Sequence, residues 1–263
     1  MTMPDVDSKT TKLIQNLAAV AKTVFGANLI GVYIHGSLAL GSYNRRVSDL
    51  DYLIVVEGHP SQATKLELMH ATFAQLMRDA PQKGLEFHVI TQDELEHGQH
   101  PFRFELHYSP MHHDAYLTDP EGYVATMNGT DPDLAVHLAV VWQNGIVACG
   151  RPIKEVFFPV GATDYFDSAW RDVRDAVSEI GDNPVYTVLN LCRMRAFQYD
   201  GVIRSKAGGG RWGLQHLEPR DNALIEWALT EYAGSDAPAP ASAELIRFAQ
   251  SMLAQISAAS RKL

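Results

Sequence analysis

The segment Asp49-Leu-Asp-Tyr-Leu-Ile-Val-Val56 limits the fold of this chain more than any other. It is an apolar, β-branched run that opens with two acids and is stopped by Gly58-His-Pro60, the pattern of a buried strand. Residues i and i+2 of a strand share a face, so Asp49 and Asp51 aim at one spot where the strand begins. The flanking sequence alternates in type. Residues 9–25 carry Leu13, Leu17, Ala21 and Val24 at helical spacing and end at Gly26. Gly31-Val-Tyr-Ile-His35 reads as a short strand, and a Gly/Ser/Asn/Arg-rich loop is expected from Gly36 to Ser48. Ser61 to Asp79 reads as helix, Leu85–Thr91 as a third strand, and Thr91-Gln-Asp-Glu94 as a capping box for a short helix.

From Asp131 onward the periodicity is mostly helical. Asp131 is the expected N-cap with Pro132 at the first helical position, and Gly145 closes that helix. Further helices are expected over residues 168–180, from Asn183-Pro184 to Tyr199 with Gly201 as the stop, over Asp221–Tyr232, and over Ala241–Leu263. Gly208-Gly-Gly210 reads as a flexible turn and residues 234–241 as a Pro/Ala linker. The implied fold class is α+β. A domain with a small mixed β-sheet flanked by helices covers residues 1–157, and an all-α helical bundle covers residues 158–263.

Composition excludes several classes. Hydrophobic residues are 46% and charged residues 20% of 263, which is ordinary for globular proteins and argues against disorder. Two cysteines, Cys149 and Cys192, cannot staple a disulfide scaffold and fit a reduced compartment. The run Leu134–Trp142 is broken by His137 and too short to span a bilayer. The first residues lack the basic and apolar regions of a signal peptide, so a cytoplasmic protein with no membrane partner is expected, and separately a monomer. The balance of 22 basic against 31 acidic residues, net −9, argues against long nucleic acid as a partner and suits a small cationic substrate.

The chemistry concentrates in His35-Gly36-Ser37…Gly41-Ser42…Ser48-Asp49-Leu50-Asp51. Small residues directly after a strand let backbone amides approach phosphate oxygens. Two carboxylates on one strand face repel unless a cation joins them, and Mg²⁺ prefers hard oxygen ligands together with phosphates. Glu86 is an acid flanked by Leu85 and Phe87 within a strand. If that strand lies beside Asp49–Val56, Glu86 completes a metal set of Asp49, Asp51 and Glu86. Three carboxylates beside a Gly-Ser turn suit nucleotidyl transfer, with Glu86 as candidate general base toward an acceptor hydroxyl.

Gly36-Ser37…Asp49-x-Asp51…Glu86 resembles the signature of the nucleotidyltransferase superfamily. The helical half resembles the streptomycin/spectinomycin adenylyltransferases, the aminoglycoside nucleotidyltransferases. The matching segments there are Asp131-Pro-Asp133-Leu-Ala135, Thr187–Arg193, Gly201–Lys206, Trp212-Gly-Leu and Glu231-Tyr232-Ala-Gly234. The resemblance implies a nucleotidyltransferase domain over residues 1–157 and a helical substrate- and nucleotide-binding domain over 158–263. It implies ATP as co-substrate with Mg²⁺. Ser37, Asp49 and Asp51 would hold the triphosphate and metal, with Gly36 and Ser48 beside them. Glu86 would be the catalytic base, and Asp133, Lys206 and Tyr232 would contact the nucleotide. The acceptor would carry hydroxyl and amine groups. Glu105, His107 and Asp182 are the acceptor-side candidates, with Asp114 a further acid.

The sequence departs from streptomycin-accepting members. Ala176 falls near the position of a Trp, the Glu179–Pro184 loop is shorter, and Leu106-His107-Tyr108 replaces a cleft aromatic. Spectinomycin is therefore favoured over streptomycin. Two other readings compete: the same chemistry on another small molecule or a protein hydroxyl, and a non-catalytic nucleotide-binding module. His97, His100, His107, His112 and His113 lack zinc-site spacing, and with Tyr108 they are expected to line the substrate side or a polar loop. Arg45 and Arg46 are expected either at the triphosphate or in solvent.

Overall fold

The computed structural model describes residues 6–260, which divide into two compact units between Val160 and Gly161. The division falls a few residues after the boundary expected at 157/158.

In the first unit the order is α1 (Ser8–Phe25), β1 (Leu29–Ile34), α2 (Gly36–Ala39), β2 (Leu50–Val56), α3 (Gln62–Gln75), β3 (Leu85–Thr91), α4 (Gln92–His97), β4 (Phe102–Phe104), β5 (Leu106–Tyr108), α5 (His113–Thr118), α6 (Pro120–Thr126), β6 (Gly129–Asp131), α7 (Leu134–Asn144), β7 (Ile146–Gly150) and α8 (Ile153–Val156). Asp7 caps α1 by accepting from the Thr10 N–H at 2.9 Å, and Ser61 caps α3 in the same way. The main sheet has the order β5-β3-β2-β1-β7. β2 and β3 are parallel and joined by α3, and the other pairs are antiparallel.

Alternation along the strands makes two apolar faces. Ile34, Tyr52, Ile54, Phe87 and Val89 pack under α1 and α3, against Leu13, Leu17, Leu68 and Met69. Tyr33, Leu53, Val55 and Ile90 pack under α7 and α8, against Leu134, Leu138, Val141 and Val156. Each Leu or Ile fully buried here contributes about 1.5–3 kcal/mol.

The second unit contains α9 (Ala162–Arg171), α10 (Ala176–Glu179), α11 (Pro184–Asp200), α12 (Lys206–His216), α13 (Asn222–Tyr232) and α14 (Ser242–Ser260). α11 buries Val188, Leu189, Leu191, Cys192, Met194 and Ala196, residues from more than one face, and so forms the axis of the bundle. It ends at Gly201 in the left-handed conformation. The architecture is the α+β arrangement implied by the sequence: a mixed five-stranded sheet with helices, then an all-helical unit. No described helix is long and apolar enough to cross a membrane.

Several local expectations are corrected. The loop expected from Gly36 to Ser48 begins with the one-turn helix α2. Asp131 does not cap α7. Its backbone pairs with Phe102 in a two-stranded ribbon and its carboxylate is engaged by His88 and the Asp133 N–H, so the helix starts at Leu134. The helix expected over residues 168–180 is two helices. The Trp170 carbonyl accepts from the N–H groups of Val173 and Arg174, and Asp172 turns out to meet Arg193 at 3.0 Å. The capping box at Thr91 is half made, because the Glu94 carboxylate accepts from the Arg103 N–H instead of reaching back.

Gly208-Gly-Gly210 is helical, not a flexible turn. A Cβ at Gly209 would stand 2.7 Å from backbone atoms of Arg193, and one at Gly210 would stand 2.7 Å from Leu189 and Leu229. The glycines let α12 lie against α11, and the Ser205 hydroxyl caps the helix by accepting from the Gly208 N–H. Close packing outweighs a helix-propensity cost of about 1 kcal/mol per glycine.

Candidate active site

The parallel register sets Asp51 directly opposite Glu86 across β2 and β3. Such partners project from the same face, about 4.8 Å apart along the hydrogen-bonding direction. Asp49, two residues before Asp51, joins them. Ligand oxygens of Asp49, Asp51 and Glu86 all lie within 4.8 Å of one another, and all three residues are partly solvent-exposed. An all-carboxylate donor set of this kind fits a hard cation such as Mg²⁺.

Gly36 seals one side of the cluster. It has φ +60°, and a Cβ there would lie 1.8 Å from Asp51 Oδ2. The His35 N–H donates to the Asp51 carbonyl at 3.0 Å, tying the Gly36-Ser37 turn to β2. The Ser37 hydroxyl is shielded from solvent and has no hydrogen-bond partner among the described residues. An orphaned buried donor in the turn that packs on Asp51 fits a phosphate oxygen. Ser48 is buried, and its hydroxyl accepts from the Asn44 N–H at 3.2 Å, closing the loop that leads into Asp49.

Arg45 is not at this cluster. Its guanidinium reaches Thr10 at 3.3 Å and the carbonyls of Asp79 and Ala80, so it anchors the loop to α1 and to the connection into β3. Arg46 is exposed.

Behind Glu86 stands a group of histidines whose proximity only the register reveals. His88 lies two residues along β3 on the Glu86 face, and His107 of β5 pairs with it directly. The His107 Nε2 is 3.5 Å from Glu86 Oε1. Burial alone would push the Glu86 carboxyl up. Contact with His107 and the nearby imidazoles of His137 and His88 outweigh burial, and the acid is held below its ordinary value, ionised as a base must be. Burial pushes His88 down to about 4 despite its bond to Asp131, so the ring is neutral at pH 7. Burial would raise Asp131, but the bonds it accepts from His88 and the Asp133 N–H hold it well below the carboxylate range.

Of the other histidines, His112 sets its ring edgewise to His107 at 5.1 Å, whereas His97 meets Asp93 on the surface. Tyr108 lines no cleft. It is fully buried, with its ring packed on Phe73 and Phe87.

The remaining candidates are dispersed. The Glu105 carboxylate is held by the mostly buried Lys65 at 3.2 Å and by His59 at 2.8 Å. Asp133 is exposed at the start of α7. In the second unit Asp182 is exposed in the turn before α11, while Lys206 opens α12 with its Nζ 4.8 Å from the centre of the Tyr186 ring. Tyr232, at the end of α13, lies within electrostatic reach of Arg193, as does Tyr186. Lys206, Tyr186, Arg193 and Tyr232 thus form one group. Tyr186 and Arg193 escaped sequence reasoning as functional candidates. Their signal was helical spacing on α11, since the two residues fall on one side two turns apart.

A Gly-Ser turn locked onto an Asp-x-Asp strand, with a third acid from the parallel neighbour, defines a nucleotidyltransferase. Residues 15–108 match the nucleotidyltransferase domain family, and residues 155–255 match the C-terminal domain of aminoglycoside adenylyltransferases. The chain belongs to the aminoglycoside adenylyltransferase family of that superfamily and is an adenylyltransferase. Spectinomycin 9-adenylyltransferases of Staphylococcus aureus strains N315 and Mu50 are 27% identical over 224 residues, covering 84% of this chain and 84% of theirs. The crystal structure of spectinomycin adenyltransferase AAD(9) from Enterococcus faecialis with ATP and spectinomycin shares the fold. Its TM-score is 0.77 at 20% identity, covering 94% of this chain and 98% of that one.

Proposed function

We propose that the protein transfers AMP from ATP to a hydroxyl group of spectinomycin in a Mg²⁺-dependent reaction that releases pyrophosphate. The observation that carries this reading is the convergence of Asp49, Asp51 and Glu86 at the Gly36-Ser37 turn, whose serine hydroxyl has no partner among the described residues. Asp49 and Asp51 would hold the metal, with Glu86 at its edge. When bound there, Mg²⁺ would neutralise triphosphate charge and make the α-phosphorus more electrophilic. Gly36, Ser37 and the loop closed by Ser48 face the phosphates. Glu86 accepts the proton of the acceptor hydroxyl as its oxygen bonds to the α-phosphorus and the bond to pyrophosphate breaks. Residues 1–157 would carry this chemistry, and Lys206 and Tyr232 of the helical domain, 158–263, are nucleotide-contact candidates on the family resemblance. Asp133 serves the nucleotide from the start of α7.

Spectinomycin is preferred to streptomycin because Ala176 is fully buried in the helical unit and offers a ligand nothing. Asp182 remains an acceptor-side candidate, whereas Glu105 serves Lys65 and His59 and the His107 Nε2 is shielded from solvent. The test is pyrophosphate release from ATP and Mg²⁺ with spectinomycin, with streptomycin and with no acceptor, together with product masses. Adenylylated spectinomycin alone supports the proposal. Turnover on streptomycin alone, or ATP binding without turnover on either drug, refutes it, the latter pointing to another acceptor or a binding module.

A further inference from the structure

The His88 and His107 rings lie face to face, with centroids 3.9 Å apart and planes 10° from parallel. His88 is buried, and its Nε2 stands 2.9 Å from Asp131 Oδ2. The carboxylate can only accept, so Nε2 carries the hydrogen and the tautomer is fixed. Asp131 is fixed in turn by its pairing with Phe102 and by the Asp133 N–H on its other oxygen. His107 therefore has an anchored ring on one face. Phe104 and His112 stand edgewise to it, at 5.9 Å and 5.1 Å. Its Nε2 is shielded from solvent and makes no hydrogen bond within the described residues, and Glu86 Oε1 lies 3.5 Å away. That distance is too long for a hydrogen bond, but contacts at catalytic groups tighten when substrate is bound.

The ligand atoms of His88, His107 and Asp131 are also close enough together to suggest a metal. The stacking argues against one. A metal lies in the plane of each imidazole that binds it, about 2.0 Å from the nitrogen. Two nearly parallel stacked rings with centroids 3.9 Å apart offer no such common point.

We propose that His107 is a positioning residue for Glu86. Its Nε2–H donates to Glu86 Oε1 and leaves the second carboxylate oxygen for the acceptor hydroxyl, while the stack on His88, tethered by Asp131, holds His107 in line. This inference rests on Glu86 being the base.

The experiment is steady-state kinetics of H107F, H107Q and H88F with ATP, Mg²⁺ and spectinomycin, alongside E86Q, with thermal melts of each. H107F keeps an aromatic ring on the stack and loses the donor, and kcat falls by about 10- to 100-fold, the scale of a misplaced catalytic group. The KM values for ATP and spectinomycin stay unchanged, since only a transition-state interaction is lost. H107Q keeps a donor and recovers most of the rate. H88F, which retains the stack and loses the tether, falls between. If the melt finds H107F unfolded, H107M, which fills the volume without a donor, carries the same test. Unchanged kcat in a folded H107F or H107M overturns the proposal, as does an effect confined to the spectinomycin KM, which would make His107 an acceptor contact. E86Q separates the two failures. An inactive E86Q beside an unaffected H107F removes only the positioning role, whereas a fully active E86Q removes the base assignment itself.

Discussion

Replacing Gly36 with alanine tests how the site is assembled. The new Cβ would stand 1.8 Å from Asp51 Oδ2, and ordinary contact begins near 3.4 Å, so one atom must yield by 3.4 − 1.8 = 1.6 Å. The residue also holds φ +60°, which costs a non-glycine residue about 1–2 kcal/mol. Overpacking adds about 1–3 kcal/mol. The sum of about 2–5 kcal/mol corresponds to a fall of about 5–15 °C in Tm. The functional loss is larger in kind. Mg²⁺ demands near-ideal geometry at about 2.1 Å, so an Asp51 carboxylate displaced by 1.6 Å no longer serves it. Misplacement of about 1 Å already costs on the order of 100-fold in rate. Gly41→Ala is the matched control, because Gly41 has φ +67° but nothing within 4 Å of a Cβ. It should share the backbone cost and keep its turnover. Melting curves and pyrophosphate release at graded Mg²⁺ check the pair. G36A turnover close to that of G41A would refute the reasoning that Gly36 exists to seat Asp51.

Asp49→Asn should weaken Mg-ATP binding severely, whereas Glu86→Gln should largely preserve it, as calorimetry can check. Gly209→Ala should destabilise the helical unit by about 1–3 kcal/mol, because the Cβ meets Arg193 backbone that cannot swing away; a denaturant midpoint equal to wild type would contradict this. Glu105→Gln should lower Tm at neutral pH by removing the Lys65 and His59 partners. Burial would raise the Glu105 carboxyl, but those two partners outweigh it and hold its pKa below the ordinary value. A depressed folded pKa gives stability that is present above the ordinary glutamate range and lost as pH falls through the folded value. The gap between wild type and E105Q should therefore close in acid, and a gap that widens there would contradict the assignment.

What the sequence reveals and conceals follows from the range of each interaction. Asp49 and Asp51 were legible because strand period two is local, and Glu86 because an acid with apolar neighbours inside a strand needs a reason to be there. The pairing of Asp51 with Glu86 followed once β2 and β3 were taken as neighbours. The stack of His88 on His107 was not legible, because it depends on the register of β5, a strand of three residues with no periodicity to read. Asp131 misled because Asp-Pro before an apolar run is a helix start in isolation; a distant histidine and a ribbon partner claimed it instead. Three successive glycines signal a turn by propensity, and only the approach of α12 to α11 explains why they are helical. Tyr108 looked like a cleft residue next to His107, but alternation turns it into the core.

Adenylyl transfer to spectinomycin at the Asp49–Asp51–Glu86 cluster is decided by incubating wild type and E86Q side by side with ATP, Mg²⁺ and spectinomycin. Pyrophosphate and the mass of the drug are followed together. Wild type should release pyrophosphate in step with a spectinomycin heavier by one adenylyl group, and E86Q should bind ATP but turn over about 100-fold or more slower. Unmodified spectinomycin with wild type, or equal rates for the two proteins, would contradict it.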